Sequence, residues 1–306
     1  MRGAFIKTVT EMAREDEKII LVIGDTGYSV FEKFEAEFGP RFINVGIAEQ
    51  SMVGFAAGLA MQGYKVFAYN VVSFMTLRAM EQIQLDVCYQ ENPVVLVGVG
   101  CGFNYGTAGP THHALQDVAM MRTLPNMTVI CPGDPFEMEA ATRKAIELGT
   151  PCYIRISRSA DPYVHNTMPD FEIGRAIKLC DGKDAAIFAA GGMLKEAVRV
   201  VELLENKGVE AELYSMHTVK PLDKEALLAC ANEGKAIFTM EEHALCGGLG
   251  SAVAEVLAEN LNSKPVFKPF AFPNEFAPYA GTRDALHKLY GMNPESMANE
   301  IIGSLT

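Results

Sequence analysis

Several things are scarce or missing in this chain, and each narrows what it can be. The seven cysteines, at 88, 101, 131, 152, 180, 230 and 246, are odd in number and form no Cys-x-x-Cys pair. That speaks against a disulfide framework and against a zinc site. Most of them sit beside apolar residues and read as small core fillers. Cys101, in a glycine-rich loop, is the least ordinary, but a core role still suits it better than a catalytic one. No apolar run approaches the roughly 20 residues that span a bilayer, so no membrane segment is expected. The first residues lack an apolar stretch ahead of a small-residue cleavage site, which leaves a cytoplasmic location as the default. Basic charge is also short: 26 Lys and Arg stand against 38 Asp and Glu, a net charge of −12. Nucleic-acid phosphates would be repelled by such a surface, so no nucleic-acid partner is expected. An anionic small substrate would need a local basic site.

What is present is a globular pattern. Hydrophobic residues make up 49% and charged residues 21% of 306 residues, enough for two domains of ordinary size. Apolar runs at Ile19–Ile23, Val94–Val99, Met127–Cys131 and Tyr153–Ile156 read as buried strands. Helical patterns lie between them at Gly3–Ala13, Glu49–Gln62 and Thr76–Tyr89. Asp134-Pro135-Phe136-Glu137 carries an Asp N-cap, a Pro at the first helical position and a Glu at the third, and Gly149 ends that helix. Periodicity fades from Ser157 to about Asp184, then restarts. Strands are expected at Ala185–Ala190, Glu210–Ser215, Lys235–Met240 and Pro265–Phe270, and helices at Leu194–Asn206, Lys224–Cys230 and Leu249–Asn260. The expectation is an α/β protein built on parallel sheets: a first domain over 1–160, a linker over 161–184 and a smaller α/β domain over 185–306.

The segment from Arg41 to Gln50 places one carboxylate, Glu49, where an apolar strand turns into the small-residue helix Ser51–Ala60. An acid isolated among apolar neighbours would be favoured in its neutral form. The alternative is a first-turn acid complementing the helix dipole, and this segment alone leaves both open. Gly54 and Gly58 share a helix face and allow another backbone to come close, or simply pack tightly within the domain. A second segment, Gly106-Thr107-Ala108-Gly109-Pro110-Thr111-His112-His113, follows the strand Val94–Val99. Loops at the carboxyl ends of such strands are where ligands bind in open α/β sheets. Thr111 could equally cap a helix over Ala114–Met121, with His113 solvated. The cluster Gly247-Gly248-Leu249-Gly250 lacks dinucleotide-loop spacing and reads as a tight entry into the next helix. His217 and His243 look structural or interfacial.

From Arg41 to Asp134 the sequence resembles the pyrimidine-binding domain of transketolases and of deoxyxylulose-phosphate synthases. The likeness continues through Met216–Leu222, Glu242-His243 and Gly247–Gly250, and so covers nearly the whole chain. The resemblance implies a thiamine-diphosphate enzyme in which Glu49 contacts ring nitrogen N1′ of the aminopyrimidine and drives its ionisation. It places Phe74 against the ring, with Val71 where relatives often have a second aromatic; Phe67 and Tyr69 are further candidates in an uncertain register. It directs His112 at the substrate hydroxyls near the reacting carbon, where a histidine can exchange protons. It gives Arg158, and with it Arg78, to the substrate phosphate, for which the guanidinium fork is suited. Arg155 points the same way if its strand continues, or makes a salt bridge instead. Asp25 would touch the cofactor or substrate, or act as a local Asx cap.

The resemblance also implies something missing. No Gly-Asp-Gly occurs, since Gly24-Asp25 and Gly133-Asp134 are followed by Thr and Pro. The diphosphate-binding half, with its Mg²⁺, is therefore expected on a separate partner subunit, and the assembly is expected to be a heterotetramer with two of each half. Ala108 stands where relatives commonly have a sugar-contacting Asp, and a second substrate histidine expected near Gly100 or Cys101 is absent. The sugar phosphates used could therefore differ from the usual set. Competing readings are the β-subunit of a 2-oxo acid dehydrogenase, a deoxyxylulose-phosphate-synthase half, and a non-catalytic scaffold that kept the fold.

Overall fold

Strand β1 (Ile19–Ile23) shows why the first sheet is covered on both sides. All five of its residues are buried. Ile20 and Val22 enter one apolar core, while Ile19, Leu21 and Ile23 enter another on the opposite face. Side chains alternate along a strand, so a strand buried on both faces must be apolar throughout. The computed structural model describes residues 1–158, 161–262 and 265–305. Ser159 and Ala160, within the expected turn-rich connection, lie outside the described residues.

The first half adds β2 (Phe42–Asn44), β3 (Lys65–Val71), β4 (Val94–Val99), β5 (Thr128–Ile130) and β6 (Cys152–Ile156). The second half holds β7 (Ile177–Cys180), β8 (Ala185–Ala189), β9 (Ala211–Ser215), β10 (Thr218–Lys220), β11 (Ala236–Ala244) and β12 (Phe267–Phe272). A seven-stranded sheet runs β10-β5-β6-β4-β3-β1-β2 and a five-stranded sheet β12-β11-β8-β9-β7. Pairing is parallel except at β10 on β5 and at β7 on β9. Strand β10 thus comes from the second half of the chain but closes an edge of the first sheet. One apolar core runs from Val22 and Leu96 of the first sheet to Phe188 and Ile237 of the second without a break.

Several expectations change here. The stretch read as a linker, 161–184, contains β7, which pairs with β9. The helix expected over Thr76–Tyr89 is Val72–Arg78, then Met80–Gln82, then a wider turn over Ile83–Tyr89. Asn92 Nδ2 donates to the Asp86 carbonyl at 2.6 Å, taking an acceptor that a regular ladder would use. The helix expected from Ala114 begins at Asp117, because Gly102 and Ala114 exchange both backbone hydrogen bonds at 2.9 Å. By contrast, Asp134 caps the helix Pro135–Glu147 by accepting from Glu137 N at 2.9 Å, as its sequence implies. The glycine cluster enters the helix Leu249–Asn260, whose first N–H groups donate to buried Glu241.

The carboxyl ends of both sets of parallel strands meet at the junction between the halves. Cys131 N donates to His217 O and Gly191 N to Cys131 O. Buried charge pairs lie in the same layer. Arg155 binds Asp117 through Nε at 2.6 Å and Nη2 at 3.0 Å, and its Nη2 also reaches the carbonyls of Ala114 and Glu242. Glu242 accepts from Phe103 N at 3.0 Å, from Arg283 Nε at 3.0 Å and from His287 Nε2 at 2.9 Å. Burial opposes the charge on Glu242, yet Arg283 and His287 outweigh it and hold the carboxyl well below the usual range. The neck of the loop from residue 102 to 114 is thereby tied to the second half.

Candidate functional site

The expected site residues come together at the carboxyl edge of the first sheet. Glu49 opens the helix Glu49–Met61 after β2. Phe74 and Arg78 belong to the helix Val72–Arg78 that follows β3. Tyr105 and His112 lie in the loop after β4, and Arg158 comes just after β6. Glu49 is 4% exposed, and Arg78, 52% exposed, places Nη1 at 3.0 and 3.1 Å from its two carboxylate oxygens. The Arg78 guanidinium also lies 4.6 Å over the Phe74 ring. Phe74 meets His112 edge to face at 4.9 Å, His112 faces Tyr105 at 5.8 Å, and Arg158 lies 4.8 Å over Tyr105. These contacts form one continuous row: Glu49, Arg78, Phe74, His112, Tyr105, Arg158.

The row corrects parts of the sequence reading. Glu49 is not an acid isolated among apolar groups, because Arg78 pairs with it. Phe67 and Tyr69 lie wholly in the core against Phe5 and cannot face a ligand. Val71 is buried in that same core, against which Phe74 also packs. His113 is buried rather than solvated, and its Nε2–H donates to the Gly106 carbonyl at 3.1 Å. Thr111 caps no helix; its hydroxyl pairs with Nδ1 of His112 at 2.9 Å. Arg155 turns to Asp117 and takes no place in the row. Asp25 has φ of 50°, and its partners are Asn44 and Tyr28. It borders a cavity of about 150 Å³ shared with Thr26 and Asn44. Cys101 is buried, and burial pushes its thiol up to about 12, as befits a core residue. His217 and His243 are likewise buried.

Two features escaped sequence reasoning. A cavity of about 420 Å³ opens beside Arg158 and is also lined by Arg2 and Lys7. Glu139 and Asp161 also line it, so its three basic side chains outnumber its two carboxylates by one. Arg2 and Lys7 stand on the first helix, far from Arg158 in sequence, so only the fold unites them. Tyr105 is the second, and nothing in its loop marked it out.

The donor set suits the pyrimidine end of thiamine diphosphate. A buried carboxylate for a ring nitrogen stands beside an aromatic face and an imidazole. The described residues contain no group of three or more His, Cys, Asp or Glu placed to hold a metal ion. Among them no helix is long and apolar enough to cross a membrane.

Comparison with known proteins gives the family. Residues 1–162 match the family "transketolase, pyrimidine binding domain", and residues 174–297 match "transketolase, C-terminal domain". An apulose-4-phosphate transketolase subunit of Phocaeicola vulgatus is 39% identical over 85% of this chain and 84% of its own length. The 1-deoxy-D-xylulose-5-phosphate synthase of Caldanaerobacter subterraneus is 35% identical over 97% of this chain but only 48% of its own. The solved structure of a split gene transketolase, described as an inactive beta4 tetramer, is 36% identical, covers 99% of this chain and 97% of its own, and superposes with a TM-score of 0.91.

Proposed function

Since the chain belongs to the transketolase family, we propose that it is the pyrimidine-binding subunit of a split transketolase that moves a two-carbon ketol unit between sugar phosphates. The observation that carries this is the buried Glu49 carboxylate, set at the head of a ring-and-imidazole row on the carboxyl edge of the sheet. Thiamine diphosphate, when bound, supplies the nucleophilic carbon that receives and hands on the ketol unit. Glu49 would hold the pyrimidine ring nitrogen, and Phe74 would offer the ring an aromatic face. Arg78, half exposed, would give up Glu49 to the pyrimidine when the cofactor binds. His112 gives and takes protons at the hydroxyls of the reacting end. The cavity of Arg158, Arg2 and Lys7 takes the phosphate, where charge-assisted hydrogen bonds to guanidinium groups are strong.

The diphosphate and a divalent metal, Mg²⁺, belong to a separate subunit carrying a Gly-Asp-Gly motif. Two of each subunit form a heterotetramer, the second subunit covering the exposed ends of the row at Arg78 and Arg158. The seven free thiols suit a reducing compartment, the cytoplasm.

The test is to purify the tagged chain from its host with whatever partner accompanies it and to measure ketol transfer for the native protein and for Glu49→Gln. Transfer should fall about 10²–10⁴-fold, with assembly intact. Unchanged transfer would remove Glu49 from the chemistry and the reading with it.

A further inference from the structure

Residues 100 and 105 compete for one volume. Gly100 follows β4 with φ of +86°, and a Cβ built on it would lie 1.9 Å from Cε2 and 2.2 Å from Cδ2 of Tyr105. No side chain fits at position 100 while that ring is in place. The ring packs against the apolar core below and is otherwise half-buried. Arg158 lies over it at 4.8 Å and His112 faces it at 5.8 Å. Tyr105 therefore stands between the two groups that serve opposite ends of the sugar: His112 the reacting end, Arg158 the anionic end. Gly100 and Ala108, its neighbours on the loop, offer no side-chain hydrogen bond.

Resting on the ketol-transfer reading, we propose that Tyr105 is a specificity-determining residue, the wall against which the middle carbons of an anionic open-chain sugar lie. The part of the ring that its neighbours leave exposed meets C–H groups by apolar contact. A site built this way leaves no polar partner stranded when a substrate hydroxyl is inverted or missing. Such sites discriminate by roughly 10–200-fold, whereas sites that hydrogen-bond a hydroxyl reject its absence by about 10⁴ or more. The fixed span from His112 to Arg158 selects instead by length.

The experiment uses the complex with its diphosphate-binding partner and three ketose phosphates: a reference, its analogue lacking the hydroxyl next to the transferred unit, and a homologue one carbon longer. The native complex should separate the first two by less than about 100-fold. Tyr105→Ala should narrow the gap between reference and longer homologue at least about fivefold through KM, and leave thiamine diphosphate affinity within about twofold; Tyr105→Phe should preserve the native pattern. Hydroxyl discrimination of about 10⁴, or an equal loss on every sugar, overturns the proposal. A readout independent of activity is the thermal unfolding of Gly100→Ala in the native and Tyr105→Ala backgrounds. The left-handed backbone strain is common to both, so the cost should be smaller when the ring is gone. Equal costs overturn the shared volume. If the complex moves no ketol unit from any sugar phosphate, the functional reading falls and takes this proposal with it. If it does so but Tyr105→Ala behaves as native, the proposal alone falls.

Discussion

At the scale of single residues, the basic cavity makes the clearest claim. Arg158→Ala should raise KM for phosphorylated sugars by about tenfold or more, since a hydrogen bond to a charged group contributes about 1.5–3 kcal/mol. KM for an unphosphorylated ketose should hardly change, and steady-state kinetics on the two substrates checks the difference. Glu49, Phe74 and His112 were singled out in the sequence through the family resemblance, which acts on short motifs near strand ends. Arg2 and Tyr105 were not, because their meaning comes from Arg158 and Gly100, which the fold brings to them. Phe67 and Tyr69 fail because β3 is buried on both faces, so its residues pack into core whichever way they point, and only the segment past its carboxyl end reaches the row.

At the scale of elements, the stretch around Val164 and His165 behaves as a strap. His165 and Val164 donate their backbone N–H groups to buried Asp134, and His165 Nε2 donates to Glu137 at 2.7 Å. Burial opposes a charge on His165, but the hydrogen bond and charge of Glu137 outweigh it, so its pKa is raised. That contribution is fully present below the unfolded value of about 6.5 and is lost as pH rises through the higher folded value. His165→Gln should therefore cost more stability at pH 6 than at pH 8 in urea unfolding; an equal cost would show that the ion pair contributes nothing. The Asp134 cap could be read from sequence because its partner is three residues away. The strap could not, since Asp134 and His165 approach only after the helix between them has formed. Strand β7 was hidden for a similar reason: half-exposed edge strands carry a mixed pattern, and Ile177–Cys180 reads as loop.

At the scale of the molecule, the Glu242 node joins the halves and fixes the neck of the His112 loop. Glu242→Gln leaves Arg283 with Glu196 at 3.3 Å as its remaining carboxylate and should cost less than the roughly 3–5 kcal/mol of an uncompensated buried charge, on the order of 2 kcal/mol. Urea unfolding of the native and variant chains measures that cost, and a loss within experimental error would mean that solvent reaches the pair. The two α/β layers themselves were legible, because buried parallel strands are apolar runs and the helices between them are amphipathic. What sequence could not show is that the layers share one core and that β10 crosses between them. Three residues, Thr218–Lys220, carry too little pattern to announce a strand.

That crossing has a consequence during synthesis. While the chain emerges from the ribosome, β5 can pair with β6, but its outer edge stays bare until residues 218–220 arrive to cover it. An exposed strand edge is a template for pairing with other chains. The nascent N-terminal half is thus sticky for as long as the second half is being made. A gene truncated or split between β6 and β10 would release a fragment prone to aggregate, so selection should tolerate breaks there far less readily than breaks outside both sheets.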